Sequence, residues 1–156
     1  MKVKKYELRL DARRKPIIAE TGTEYRIDGR KTYNNPGLFA EFFGDTIGIR
    51  QAANEHVYIA CLDTKLHMIG CFEASHGSVN ETIFPVREIF QKALLIGAVH
   101  IVICHNHPTG DTTPSAEDVK ATERIREAGQ LIAIPVLDHV IVGAGNRAYY
   151  SFAETE

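Results

Sequence analysis

The sequence predicts an α/β protein of the α+β type, with a mixed β-sheet flanked by helices. Three observations carry this expectation. From residue 55 onward, apolar runs of strand length and amphipathic stretches follow one another in the order β-β-α-β-α-β-β-β. The first two runs are joined by so short a turn that they should form an antiparallel hairpin. A third run, Val99 to Cys104, is apolar but for His100 and lies between two helical segments, as a buried strand would.

The elements follow in chain order. Residues 1–50 read as an N-terminal extension, β-rich with a short helix, and residues 51–156 as the metal-binding domain. Within the extension, Tyr6-Glu-Leu-Arg-Leu10 and Glu24-Tyr-Arg-Ile27 alternate as strands do. Asn34-Asn-Pro-Gly37 signals a turn, and Leu38 to Phe43 a short helix closed by Gly44. Val57 to Leu62 is a strand, Asp63-Thr-Lys65 its turn, and Leu66 to Ala74 its partner. Val86, Ile89, Phe90, Ala93 and Leu94 share one face of a helix that Gly97 ends. Thr113 or Ser115 opens another helix, which ends near Gly129. Leu131 to Val136 and His139 to Val142 read as strands, Gly143 to Asn146 as a turn, and Arg147 to Phe152 as the last strand.

Bulk properties narrow the class. A chain of 156 residues that is 44% apolar can bury a core without covalent staples. The net charge of −2 argues against a nucleic-acid binder working by bulk charge. The start, MKVKKYELRLDARRK, has no apolar segment of a signal peptide, and no apolar run is long enough to span a bilayer. No membrane partner is expected. Cys61, Cys71 and Cys104 are odd in number and sit in apolar runs, which suits reduced thiols in a cytoplasm.

The chemistry concentrates in HNHPTGDTTPSAED, which has the pattern H-x-H-x7-S-x2-D. These residue types suit a zinc ion, one per chain, with three protein ligands and a fourth position open to water, the arrangement of a hydrolase. His105 and His107 are two apart on a strand end and so share a face. Asp118 falls on the inward stripe of the next helix with Ala121, Ile125 and Ala128. A carboxylate aimed at a core is costly unless paired or metal-bound. Ser115 shares that face near the helix start. Its plain role is an N-cap, with Ser115-x-x-Asp118 a variant capping box, and capping is compatible with catalysis. Cys104 faces the opposite side by alternation. His56, His67, His76 and His100 lack partner spacing; His139, after Asp138 at a strand start, can support the metal ligands or simply pack, and packing is the favoured role. The water of such a site needs a base. Glu55, heading the first strand, and Glu73, near the end of the second, are both candidates, and spacing does not choose between them. Glu88 lies on a polar helix face and Asp63 in a turn.

H-x-H-x7-S-x2-D is the signature of the JAMM, or MPN+, metalloprotease and isopeptidase family, and the chain resembles its RadC-like branch more closely. The matching pieces are Glu55-His-Val-x4-Leu-Asp-Thr-Lys65, Gly77-Ser-Val-Asn80, Arg87-Glu-Ile-Phe90, His105-Asn-His-Pro-x-Gly-Asp111, Thr113-Pro-Ser115 and Leu137-Asp-His-x-Ile-x-Gly143. They stand in the family's order over residues 51–156. The resemblance implies a JAB/MPN-like fold with cytidine-deaminase-like layering. It implies zinc on His105, His107 and Asp118, with Ser115 assisting the oxyanion. It also favours Glu55 as the base, because the family's acid comes from the strand two before the H-x-H strand. Residues 1–50 do not match the helical, DNA-associated region that full-length RadC-like proteins carry, and Phe84-Pro85-Val86-Arg87 departs slightly from the family's Pro-Arg-Glu.

The leading functional expectation is therefore a zinc-dependent hydrolase of peptide or isopeptide bonds acting on a peptide or protein substrate. The alternative is a DNA-repair or mobile-element accessory protein with a structural or vestigial metal, in which nucleic acid enters by family association alone. A deaminase would need H-x-E with P-C-x-x-C, which is absent.

Overall fold

Strand β3 (His56–Leu62) is buried along nearly its whole length, and everything else is arranged around it. Its sequence, HVYIACL, has no polar alternation because both of its faces are covered. The computed structural model describes residues 2–27, 32–77, 84–145 and 147–155. Ser78 to Asn80 of the Gly77-Ser-Val-Asn80 motif, and Asn146 of the last turn, lie outside these.

The described strands form one seven-stranded mixed sheet. They are β1 (Lys2–Leu10), β2 (Pro16–Arg26), β3, β4 (Met68–His76), β5 (His100–His107), β6 (Val136–Gly143) and β7 (Tyr149–Ser151), in the spatial order β2-β1-β4-β3-β5-β6-β7. Strand β3 pairs antiparallel with both β4 and β5. Strands β5 and β6 run parallel, and so do β1 and β4 over a short stretch. The β1–β2 hairpin thus extends the same sheet at one edge.

Helices α2 (Val86–Ile96) and α3 (Ala116–Leu131) cover one face. There Ile89, Phe90, Ala93 and Ile125 pack with Val57, Ile59, Ile101 and Ile103. Fully burying each such aliphatic side chain contributes roughly 1.5–3 kcal/mol. Helix α2 ends at Gly97, whose φ of 75° is left-handed, as the amphipathic pattern predicts. Helix α1 (Pro36–Glu41) covers the other face, where Phe39, Phe42 and Phe43 pack with Tyr58, Val102, Cys104 and Val140. The free thiols Cys61, Cys71 and Cys104 are all buried.

Three local expectations are corrected. Gly44 does not close the first helix: the chain continues through a π-helical turn, Phe42–Ile47, and stops at Gly48, with φ 92°. A β-carbon on Gly44 would stand 2.5 Å from Arg50 Nε, so this glycine is there for close approach. Leu131 to Val136 is not a strand. Helix α3 runs through Leu131, Ala133 takes a φ of 58°, and the Ile134 N–H closes the turn on the Gly129 carbonyl at 2.9 Å. Of the two strands expected between 131 and 142, only the second forms, as β6, which begins at Val136. The last strand is also shorter than expected, because Phe152 already begins a short helix, α4 (Phe152–Thr155).

Candidate metal centre

Strand β5 runs through the histidine pair before it stops. Alternation turns His105, fully buried, and His107, partly buried, to the face under α3, while Cys104 joins the opposite core. After His107 the chain bends at Gly110, with φ 87°, whose N–H bonds the His107 carbonyl at 3.0 Å. That bend lies against β6 at Gly143, where a β-carbon would come within 2.4 Å of the Gly110 oxygen. The loop then enters α3 through a capping box. Ser115 Oγ accepts from the Asp118 N–H at 3.1 Å, and Asp118 Oδ2 accepts from the Ser115 N–H at 2.8 Å.

This entry carries Asp118, 4% exposed, onto the two histidines. His105 Nε2 and His107 Nε2 are 3.0 Å apart. Each lies 3.3 Å from an oxygen of Asp118, Oδ1 for His105 and Oδ2 for His107. These ligand atoms form a group able to hold a metal ion, all within 4.8 Å of one another. Tetrahedral zinc with ligands at about 2.0–2.1 Å would set neighbouring donor atoms roughly 3.3 Å apart, so the separations fit. The donor chemistry fits as well. His107 Nδ1 lies 2.7 Å from the Asp111 carbonyl, which can only accept, so this nitrogen carries a proton and leaves Nε2 to face the site.

Electrostatics agree with a site that wants a cation. Burial pushes His105 down to about 4, so its imidazole is neutral near pH 7. The Asp118 carboxylate hydrogen-bonded to His107 raises His107 above its ordinary value. Burial raises Asp118, but the His107 hydrogen bond, the neighbouring His105 and the Ser115 bonds outweigh it and hold the carboxyl well below the usual range. The same carboxylate that favours the charged form of His107 would favour a metal cation in the place of its proton.

Glu55 sits immediately before β3. Burial raises its carboxyl, His107 lowers it and Asp118 raises it, so it feels the charges of the centre. The segment is clamped by Asn106, which stands between the two histidines and is 1% exposed. Its Oδ1 accepts from the His56 N–H at 2.7 Å and its Nδ2 donates to the Asn54 carbonyl at 3.0 Å, gripping the backbone on either side of Glu55. Glu73 is engaged elsewhere. Its carboxylate meets Lys5 Nζ at 3.1 Å, His56 Nδ1 at 2.8 Å and Tyr58 OH at 3.2 Å, and Tyr58 belongs to the core on the other face of the sheet.

Sequence reasoning missed Thr122, and for His139 it ranked packing above a place beside the centre. His139, for which packing was expected, is fully buried with its Nε2 2.7 Å from His105 Nδ1. Its ring stacks on Phe152 at 5.0 Å and 8°, and Phe84 stands edge-on to both His139 and His105. Thr122 bonds His139 Nδ1 at 2.6 Å. The inward face of α3 is centred on Asp118, Thr122, Ile125 and Gly129, so it shares Asp118 and Ile125 with the expected stripe but takes in Thr122 and Gly129 in place of Ala121 and Ala128. Thr122 lies four residues after Asp118, and that spacing could have found it.

Comparison with known proteins gives the family. The family described as RadC-like JAB domain matches residues 33–156. A UPF0758 protein of Pelobacter propionicus is 37% identical over 129 residues, covering 83% of this chain and 55% of that protein. One of Clostridium novyi is 41% identical over 116 residues, 71% of this chain and 50% of its own length. Another, of Clostridium tetani, is 43% identical over 108 residues, 69% of this chain and 46% of its own. The chain thus spans about half the length of the curated relatives it matches. With its H-x-H strand, its aspartate on the following helix and this match over most of its length, the chain belongs to the RadC-like JAB domain family.

Proposed function

We propose that the protein is a zinc-dependent hydrolase of peptide or isopeptide bonds. The observation that carries this reading is the convergence of His105 Nε2, His107 Nε2 and the Asp118 carboxylate beside a segment that bears a half-buried acid, Glu55. Bound there, zinc would polarise a scissile carbonyl and lower the pKa of a water to about 7. Glu55 takes a proton from the attacking water and returns it to the leaving amine as the C–N bond breaks. Burial suits it to this work, because a raised carboxyl pKa brings acid and base forms closer to neutral pH.

Ser115 is proposed to donate to the developing oxyanion. Its hydroxyl proton rests on Asp118 Oδ2 at 2.7 Å, so the hydroxyl must rotate to do so. Residues 51–156 are the proposed metal-binding unit and residues 1–50 the proposed extension, whose β1–β2 hairpin lengthens the sheet at one edge while its helix α1 packs on a face. No helix among the described residues is long and apolar enough to cross a membrane. Buried free thiols suit a reducing compartment such as the cytoplasm.

The test is cleavage of a library of peptides and lysine-linked isopeptides, read by mass spectrometry. Zinc-loaded protein should cleave members of one class, a chelator should stop it, and added zinc should restore it. Loaded protein that cleaves neither class, yet binds DNA with an affinity that falls steeply with salt, would favour the accessory-protein reading instead.

A further inference from the structure

The two ring nitrogens of His105 face different partners, and neither meets solvent. Nε2 turns to His107 and Asp118, and Nδ1 to His139 Nε2. From there a chain of hydrogen bonds continues. His139 Nδ1 is 2.6 Å from Thr122 Oγ1, and the Thr122 hydroxyl donates to the Asp118 carbonyl at 2.6 Å.

The far end sets the direction of every proton in this chain. A backbone carbonyl only accepts, so the single hydroxyl proton of Thr122 is committed to Asp118. Thr122 Oγ1 can then only accept from His139, which places a proton on His139 Nδ1. A buried imidazole with one ring proton has its other nitrogen bare, so His139 Nε2 accepts. His105 Nδ1 must supply that proton, which leaves the lone pair of His105 Nε2 pointing into the centre. Run in reverse, the chain would put a proton on His105 Nε2, and a protonated nitrogen does not ligate. Phe152 and Phe84 close the chain against water that could serve as a substitute partner.

We infer that Thr122 and His139 are positioning residues that hold His105 in the Nδ1–H tautomer, with its Nε2 lone pair presented to the site. This rests on the metal reading above and extends it to residues that touch no metal. The chain also ends where it began. It starts at one proposed ligand, His105, and terminates on the backbone of another, Asp118. The orientation of the first is thereby tied to the placement of the helix that carries the second.

Two measurements test it on the full chain. Long-range proton–nitrogen correlation spectra of the metal-free protein, at mildly alkaline pH, assign the tautomers. Competition with a chelating dye gives the zinc affinity. We expect Nδ1–H forms for His105 and His139. Thr122→Val, which keeps the shape and removes the hydroxyl, should mix the His105 tautomers and weaken zinc about 10–100-fold. Thr122→Ser should restore both. An Nε2–H form of His105 in the wild type would overturn the inference, and so would Thr122→Val with wild-type zinc affinity and an unchanged spectrum. If Thr122→Val does not fold, the wild-type spectrum alone decides. A wild type that takes up no zinc would end the metal reading, while the spectrum would still settle the direction of the chain.

Discussion

The Ser115 hydroxyl donates to Asp118 Oδ2 at 2.7 Å while it accepts from the Asp118 N–H at 3.1 Å. One side chain therefore caps a helix and orients a carboxylate, and Ser115→Ala should separate the cap from the proposed oxyanion role. Loss of the cap should cost about 0.5–2 kcal/mol. Loss of an oxyanion donor should cost about 10²–10³ in turnover, with substrate binding little changed. A denaturant melt beside a turnover assay reads both. Turnover per folded molecule at the wild-type level would leave Ser115 a cap alone.

Purified protein should bind about one zinc per chain, and the metal should stabilise it, because the ligands join a strand to a helix. Chelation should lower the melting temperature of the wild type more than that of His105→Ala/His107→Ala. Full zinc occupancy in the double variant would remove these residues from the ligand set.

Glu55→Gln should keep zinc and fold while hydrolysis falls by about 10²–10⁴, the scale of general acid–base catalysis. Glu73→Gln should leave turnover intact and cost no more than about 1 kcal/mol, because its ion pairs are partly solvated. The opposite pattern would move the base to Glu73.

Metal-free protein should lose stability as pH falls from about 6.5 to about 4. Burial depresses His105 to about 4 and His139 well below its ordinary value. Both are neutral when folded but take up protons when unfolded below about 6.5, so their contribution is whole above that pH. The shift of His105 alone corresponds to roughly 3 kcal/mol. His107 is raised, so its contribution is whole below about 6.5 and is lost only as pH climbs through its folded value. Asp118 is depressed and adds its own loss only below about 3.9. Urea melts across this range check the window, and flat stability from pH 6.5 to 4 would contradict it.

What was legible in the sequence was local. His105 and His107 follow from strand alternation, and Asp118 from helix spacing within the same short stretch. His139 depends on parallel pairing of β5 with β6, which sets it beside Ile103 and within reach of His105. No periodicity reports the register of two strands separated by a helix. Leu131 to Val136 misled for another reason. Its apolar residues resemble a buried strand, yet Ile134 is the buried one while Leu131 is 88% exposed. A backbone bond to Gly129 and a left-handed Ala133 decide the matter, and neither has a hydrophobic signature.

Arg50 is 8% exposed, and its guanidinium donates to the carbonyls of Gly143 at 3.1 Å and Ala148 at 2.8 Å. The end of β6 and the start of the approach to β7 are thus stapled by a residue from outside the stretch that carries the ligands. The practical consequence concerns where the gene can be cut. A fragment starting at residue 51 would forfeit that staple and its two hydrogen bonds from a charged donor, at about 1.5–3 kcal/mol each. One starting at Tyr33 would keep it, together with the helix whose Gly44 makes room for the same guanidinium. Melting curves of the two fragments should differ accordingly, with the longer the more stable. Anyone trimming this protein for crystals or for fusion partners should leave Arg50 inside the boundary.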